Sequence, residues 1–226
     1  MKSRITLLLL VITFPGFAQT AQEIINKHVQ AIGGSEKLAA LTSFQFKFYE
    51  GTRIVSFKSP DKLRIEFFEG GKIDQTSIYN GAQGWTDFGG GRVEDTPPWP
   101  NTFFHNYLPG LLVYAKSPDY KIEYQGKDEE TGDYLIAVTP LLNNTSGYLY
   151  TFYIDPATNM IEKVREDTDI YAYMYYFKNY TDFNGVKMAL TRVREEDYGP
   201  QQTNVITDVK VNLPLEDNLF EKPAGK

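Results

Sequence analysis

Hydrophobic positions along the chain follow one period at the start and another through most of the rest. Ile24, Ile25, His28, Val29 and Ile32 recur at spacings of three and four, one face of an α-helix. Thr20-Ala21-Gln22-Glu23 stands ahead of them as a capping box, the Thr20 hydroxyl and the Glu23 carboxylate each accepting from the other's backbone amide. Gly33-Gly34 supplies a left-handed stop. Ser35 then caps a second short helix reaching residue 41, apolar at Leu38, Ala39 and Leu41.

From Ser43 the period becomes two. Phe44, Phe46 and Phe48 alternate with Ser43, Gln45 and Lys47, and segments 52–59, 62–68 and 73–79 continue the alternation through Val55, Phe57, Leu63, Ile65 and Phe67. Turn residues divide them at Glu50-Gly51, Ser59-Pro60-Asp61, Glu69-Gly70-Gly71 and Asn80-Gly81. Gly84-Trp85 and Gly89-Gly90-Gly91 follow; the glycine run has no phosphate-loop spacing and reads as a loop.

Residues 97–118 break the strand pattern. They are dense in aromatics, boxed by Pro97, Pro98, Pro100, Pro109 and Pro118, and apolar on more than one side. This reads as a helical insert lying over the apolar face of a sheet, either as fixed core or as a cover hinged at Pro109-Gly110. Strands resume at 120–126, 134–139, 148–154, 160–166, 172–180, 186–193 and 203–211. Asn184-Gly185 is a two-residue hairpin signal, Asp155 to Asn159 a longer hairpin loop, and 214–226 an irregular turn with a frayed end. The sum is α+β: about eleven strands in a large antiparallel sheet, long enough to curl toward a barrel.

Composition places this pattern in one globular domain. The chain has 226 residues, 42% hydrophobic and 15% aromatic, enough for a single sizeable core. Its opening, basic at Lys2 and Arg4, apolar over 5–14 and small at Gly16 and Ala18, reads as a signal peptide cut after Ala18. The run falls short of the about 20 residues a membrane-spanning helix needs. That leaves 19–226 as the domain. Removing Lys2 and Arg4 takes the formal charge from -6 to -8, a poor balance for nucleic acid. With no cysteine there is no disulfide, thiolate metal site or lipidated cysteine, so the exported protein is expected to be soluble and unanchored.

Candidate chemistry is sparse. Of two histidines, His28 belongs to the apolar helix face and His105 to the insert, without further ligands beside it. No nucleophile signature accompanies them. The acidic groups at 128–130, 166–169 and 195–197 fall at strand ends and read as solvated turns. Neither a metal nor another cofactor is expected. The tyrosines at 148, 150, 153, 171, 173, 175 and 176 suit a half-exposed sheet face, and equally a surface that binds carbohydrate or protein.

Three stretches carry a family resemblance. Residues 21–28 and 31–38, the run Ser59-Pro60-Asp61-Lys62-Leu63-Arg64 with Tyr79-Asn80-Gly81 and Gly84-Trp85, and Val211-Asn212-Leu213-Pro214 with Phe220-Glu221-Lys222-Pro223 resemble the outer-membrane lipoprotein-sorting-like proteins of Gram-negative bacteria, the LolA/LolB-like family. The resemblance implies an unclosed antiparallel barrel with helices covering its concave face. It also implies a periplasmic, non-enzymatic carrier of a lipid, an acyl chain or an acylated protein, working with a partner at the inner or outer membrane. An acyl chain gains about 0.8 kcal/mol per buried methylene, so an apolar cavity under a cover is physically suited to it. One position departs: the family's lipoprotein carrier locks its lid with an arginine where this chain has Ser59. The expected ligand face is Phe44, Phe46, Phe48, Leu63, Ile65, Phe67 and Trp85. The expected cover is Trp99, Phe103, Phe104, Tyr107, Leu111, Leu112 and Tyr114.

Overall fold

A computed structural model describes residues 20–96, 120–141, 149–168, 171–196 and 199–224. The expected leader, the 97–118 insert with its seven cover residues, and His105 lie outside the described residues.

Helix α1 (Ala21–Ala31) starts with the expected capping box, both reciprocal hydrogen bonds being present. Helix α2 (Ser35–Ala39) is a single turn. Then come β1 (Ser43–Phe48), β2 (Arg53–Lys58), β3 (Lys62–Glu69), β4 (Lys72–Tyr79), β5 (Gly84–Asp87) and β6 (Val93–Thr96). After the insert follow β7 (Tyr120–Lys127), β8 (Tyr134–Pro140), β9 (Leu149–Ile154), β10 (Ile161–Asp167), β11 (Ala172–Phe183), β12 (Val186–Glu196), β13 (Gln202–Val205) and β14 (Thr207–Val211). A 3-10 turn, Asp217–Phe220, ends the series.

These strands form two antiparallel sheets of seven, β14-β1-β2-β3-β4-β5-β6 and β13-β12-β11-β10-β9-β8-β7. Within each, neighbours in sequence are neighbours in space, as short hairpin connections require. The exception is the junction. Residues 202–211 run as almost one strand, whose first part pairs with β12 and whose second part pairs with β1. At the changeover the Ile206 amide donates to the Leu190 carbonyl at 2.7 Å, and Asp208 takes a positive φ of 54° beside a shift of register. Ile206 separates the two strands, and the bulge lies just beyond it, in the pairing of β14 with β1. Among the described residues strands β6 and β7 are the outer members, and the strands close no barrel.

Among the described residues three apolar clusters hold these layers. Ile24 and Ile25 of α1 pack on Ile136, Val138, Phe152 and Val164 of the second sheet. Phe44, Phe46, Phe48, Val55, Phe57, Leu63 and Ile65 of the first sheet meet Met188 of the second and Ile206 at the changeover. A smaller group, Ile78, Trp85 and Phe220, lies under the C-terminal turn.

The end of α1 is stitched to the β11–β12 hairpin, whose turn residues Asn184 and Gly185 both take positive φ as the Asn-Gly signal requires. Lys187 donates its amide to the Ile32 carbonyl at 2.8 Å, and Gly33 comes so close to Gly185 that a Cβ there would overlap the Gly185 carbonyl.

Two expectations are corrected. Residues 84–96 hold a paired hairpin, β5 and β6, around the glycine run, with the Phe88 amide donating to the Arg92 carbonyl. The strand expected at 203–211 is divided at Ile206. The irregular turn expected in the tail is present as the 3-10 turn, anchored by Phe220, which is 1% exposed.

Candidate functional site

In an antiparallel sheet, residues directly opposite one another point to the same side. Phe44 lies opposite Phe57, Phe57 opposite Leu63, Val55 opposite Ile65, and Phe46 opposite Val55. Phe48 is opposite Arg53, which is opposite Phe67. Six of the seven expected ligand-face residues thus share one side of the first sheet. Phe46 and Phe48 are fully buried, and burying a side chain of that size stabilises by about 1.5–3 kcal/mol. Phe44 stacks on Phe46 and Phe57 at 5.9 and 4.8 Å. Phe67 is only partly buried, and the Arg53 guanidinium lies 4.9 Å from its ring centre.

Trp85 does not join them. It lies opposite Ile78, which lies opposite Arg64, and that row faces away from Leu63 and Ile65. There Trp85 packs with Ile78 and Phe220, while Arg64 donates to the Leu219 carbonyl at 3.1 Å. The physical reason is parity: Gly84, not Trp85, is opposite Tyr79 on the Leu63 side. The small cleft between Leu63, Ile65, Tyr79 and Thr96 admits only about 10 Å³, space for no more than one water.

The same side continues across the junction into the second sheet. Met188, Leu190, Arg192, Arg194 and Glu196 alternate along β12, with Asn204 opposite Arg192 and Tyr175 opposite Arg194. Val164 opposite Tyr175 and Phe152 opposite Val164 carry the face on to the cluster under α1. The apolar parity therefore becomes polar at one end. The Arg192 guanidinium lies 4.4 Å from the Tyr175 ring centre and 5.7 Å from that of Phe48. Arg194 sits 5.3 Å from the Tyr173 ring and forms an ion pair with Glu196. Burial, then the Glu166 carboxylate nearby, pushes the Tyr175 phenol well above its usual range.

The sequence reading did not single out this polar end. Glu166 was expected in a solvated turn; it is 7% exposed, on the inward row of β10 opposite Tyr173. The local pattern gave no such signal: around Arg192 and Arg194 the other row of β12 carries Ala189 and Val193, and Asn204 comes beside Arg192 only through strand pairing.

His28 has the packed role expected of it. Its Nδ1–H donates to the Asn159 carbonyl at 2.8 Å, and burial lowers its pKa to about 4. Among the described residues no group of three or more acidic, histidine or cysteine side chains could hold a metal ion. None of the helices among them is long and apolar enough to cross a membrane.

Comparison with known proteins gives likeness of structure. No protein-family model matches the chain. No curated protein matches it either. Among solved structures, a LolA superfamily protein from Nitrosomonas europaea is similar with a TM-score of 0.65 at 14% identity, covering 91% of this chain and 99% of that one. A DUF1329 family protein from Desulfovibrio piger is similar with a TM-score of 0.60 at 12% identity, over 89% of this chain and 97% of the other. A domain assigned to outer membrane lipoprotein sorting, from Vibrio parahaemolyticus, is similar with a TM-score of 0.53 at 16% identity, over 79% and 86%. At such identities the likeness is one of fold.

Proposed function

We propose, starting from the chain's LolA-like fold, that it is an exported, periplasmic, non-enzymatic carrier of a lipid, an acyl chain or an acylated protein. The observation that carries this reading is the continuous apolar face of Phe44, Phe46, Phe48, Val55, Phe57, Leu63 and Ile65 in an open sheet. Residues 1–18 direct export and are removed. Segment 97–118 covers the face through Trp99, Phe103, Phe104, Tyr107, Leu111, Leu112 and Tyr114, and opens at Pro109-Gly110. An inner- or outer-membrane partner supplies or receives the cargo. Since the cleft beside Leu63 and Tyr79 admits no more than one water, a chain entering there must displace packed side chains. The cover, not the sheet, is the part that moves. With Ser59 at the family's arginine position, the latch is a different one and the cargo extends beyond lipoproteins.

Native mass spectrometry of the purified protein should retain a bound lipid, and a fluorescent fatty acid should bind it. Leu111→Glu should weaken that binding by about ten-fold or more, the order expected for a charge placed against apolar surface. If neither measurement detects binding and Leu111→Glu leaves envelope function intact, the reading fails.

A second reading has its own observation. Tyr171, Tyr173 and Tyr175 form a ladder with ring centres 6.0 and 6.2 Å apart, Tyr171 being 59% exposed. Beside it lies a groove of about 300 Å³ lined by Arg165, Tyr173, Tyr176, Glu195 and Glu196. Aromatic rings next to carboxylates suit a carbohydrate or a protein loop. Glycan-array binding that Tyr173→Ala abolishes without unfolding the chain would favour this scaffold over the carrier.

A further inference from the structure

The polar end of the inner face is built differently from a solvated edge. Arg192 is 6% exposed and Asn204 4%, directly opposite one another on neighbouring strands. The Asn204 Nδ2 group is buried with no hydrogen-bond acceptor among the described residues, and the same holds for the Arg194 Nε–H. A buried amide donor left unmatched costs free energy comparable to a lost hydrogen bond, so a site that keeps one is suited to an acceptor arriving from outside the chain. Arg192 lies 4.4 Å from the Tyr175 ring centre, a cation–π contact that places its charge at this end of the face.

The neighbours indicate what else such a ligand must carry. Arg192 is within 5.7 Å of the Phe48 ring centre, at the boundary between the donors and the apolar face. On β12 the sequence passes from Met188 and Leu190, packed with the phenylalanines, to Arg192 and Arg194 within four residues. A molecule with its apolar part on Phe44, Phe46 and Phe48 therefore has its end beside Arg192 and Asn204.

We propose that Arg192, Arg194 and Asn204 form a headgroup site for a single-chain amphiphile with an anionic end, a carboxylate or a phosphate. This rests on the carrier reading and adds to it the chemistry of the cargo's polar end. The planar guanidinium matches the oxygen spacing of either anion, and the Asn204 amide supplies a further donor to one of the oxygens. Glu166, on the inward row of β10, disfavours a headgroup bearing a second negative arm on its side.

The test uses cis-parinaric acid and its methyl ester as fluorescent probes on the intact protein. Wild type should bind the acid about ten-fold or more tightly than the ester, the order of one charge-assisted hydrogen bond. Arg192→Gln and Asn204→Leu should each reduce that preference to about three-fold or less, with ester affinity preserved. Should Arg192→Gln not fold, the wild-type comparison and Asn204→Leu decide. Displacement of the acid probe below micelle-forming concentrations assigns the source: oleate competing best marks a carboxylate cargo, lysophosphatidic acid a phosphate one. Lysophosphatidylcholine competing equally with both overturns the site. Equal affinity for acid and ester in wild type, or a preference that survives in both variants, also overturns it and leaves the carrier reading standing. Binding of neither probe overturns the site, and overturns the carrier reading too when native mass spectrometry shows no bound lipid and Leu111→Glu leaves envelope function intact.

Discussion

His28 joins α1 to the loop between β9 and β10, and its protonation state sets how well the two stay together. Its Nδ1–H already serves the Asn159 carbonyl, and Nε2 is buried with no partner among the described residues, so a second proton would have no acceptor. The folded-state pKa of about 4 lies below the ordinary 6.5. Between those values the unfolded chain binds the extra proton and the folded chain does not. Stability is thus full above pH 6.5 and declines as pH falls toward 4. From pH 7 to 5 the loss through this one group is on the order of 2 kcal/mol. Urea unfolding at the two pH values should show it, and His28→Gln should lessen the difference. An equal difference in the variant would assign the acid sensitivity elsewhere. Gly33 is a second sensitive point. With φ at +131° and the Gly185 carbonyl against it, Gly33→Ala should destabilise by about 2 kcal/mol or more, read from the same titration. His28 could be placed from helical spacing alone, because i, i+3, i+4 periodicity reports burial directly. The Gly33–Gly185 approach could not, since each glycine has a sufficient local explanation as a turn residue.

Among the elements, the C-terminal turn has the clearest separable role. Phe220 closes the outer side of the first sheet over Ile78 and Trp85, while Lys58 and Lys62 reach Asp217 at 3.1 and 2.6 Å. These exposed ion pairs contribute little, and the ring supplies the anchoring. Phe220→Ala should cost about 3 kcal/mol and shift tryptophan emission to the red as Trp85 meets water. An unshifted spectrum would mean that the turn stays docked without its ring. Strand positions were legible where alternation ran for six residues or more, as in β1, β3 and β12. The hairpin of β5 and β6 was not, because strands of four residues such as Gly-Trp-Thr-Asp and Val-Glu-Asp-Thr carry too few positions to define a period. For the same reason the side taken by Trp85 could not be read: parity in a short strand depends on its register with β4, a tertiary fact.

For the molecule as a whole, the two sheets share one inward face that begins apolar and ends polar. A ligand bound only by the folded state should raise thermal stability by mass action, about 2.7 kcal/mol at a hundred times its Kd. For a chain of this length that is roughly 5–10 °C, measurable by calorimetry with cis-parinaric acid. No shift at saturation would argue against binding within the fold. The face was legible in outline, since Phe44, Phe46, Phe48, Leu63 and Ile65 fell together as their alternation required. Its polar end was not, because Arg192 and Asn204 meet only through the pairing of β12 with β13.

That pairing belongs to the strand at 202–211, which goes on to place Val211 beside Phe44. During synthesis β1 can pair with β2 as soon as the two have emerged, but its other side must wait for β14, and so for almost the whole chain to be made. Until then its free side can recruit another chain as readily as its own last strand. This contact, between the most widely separated strands, also carries the largest loop-closure cost. Folding yield, more than final stability, should therefore respond to changes at Ile206 and Asp208, where the late-arriving strand makes its turn.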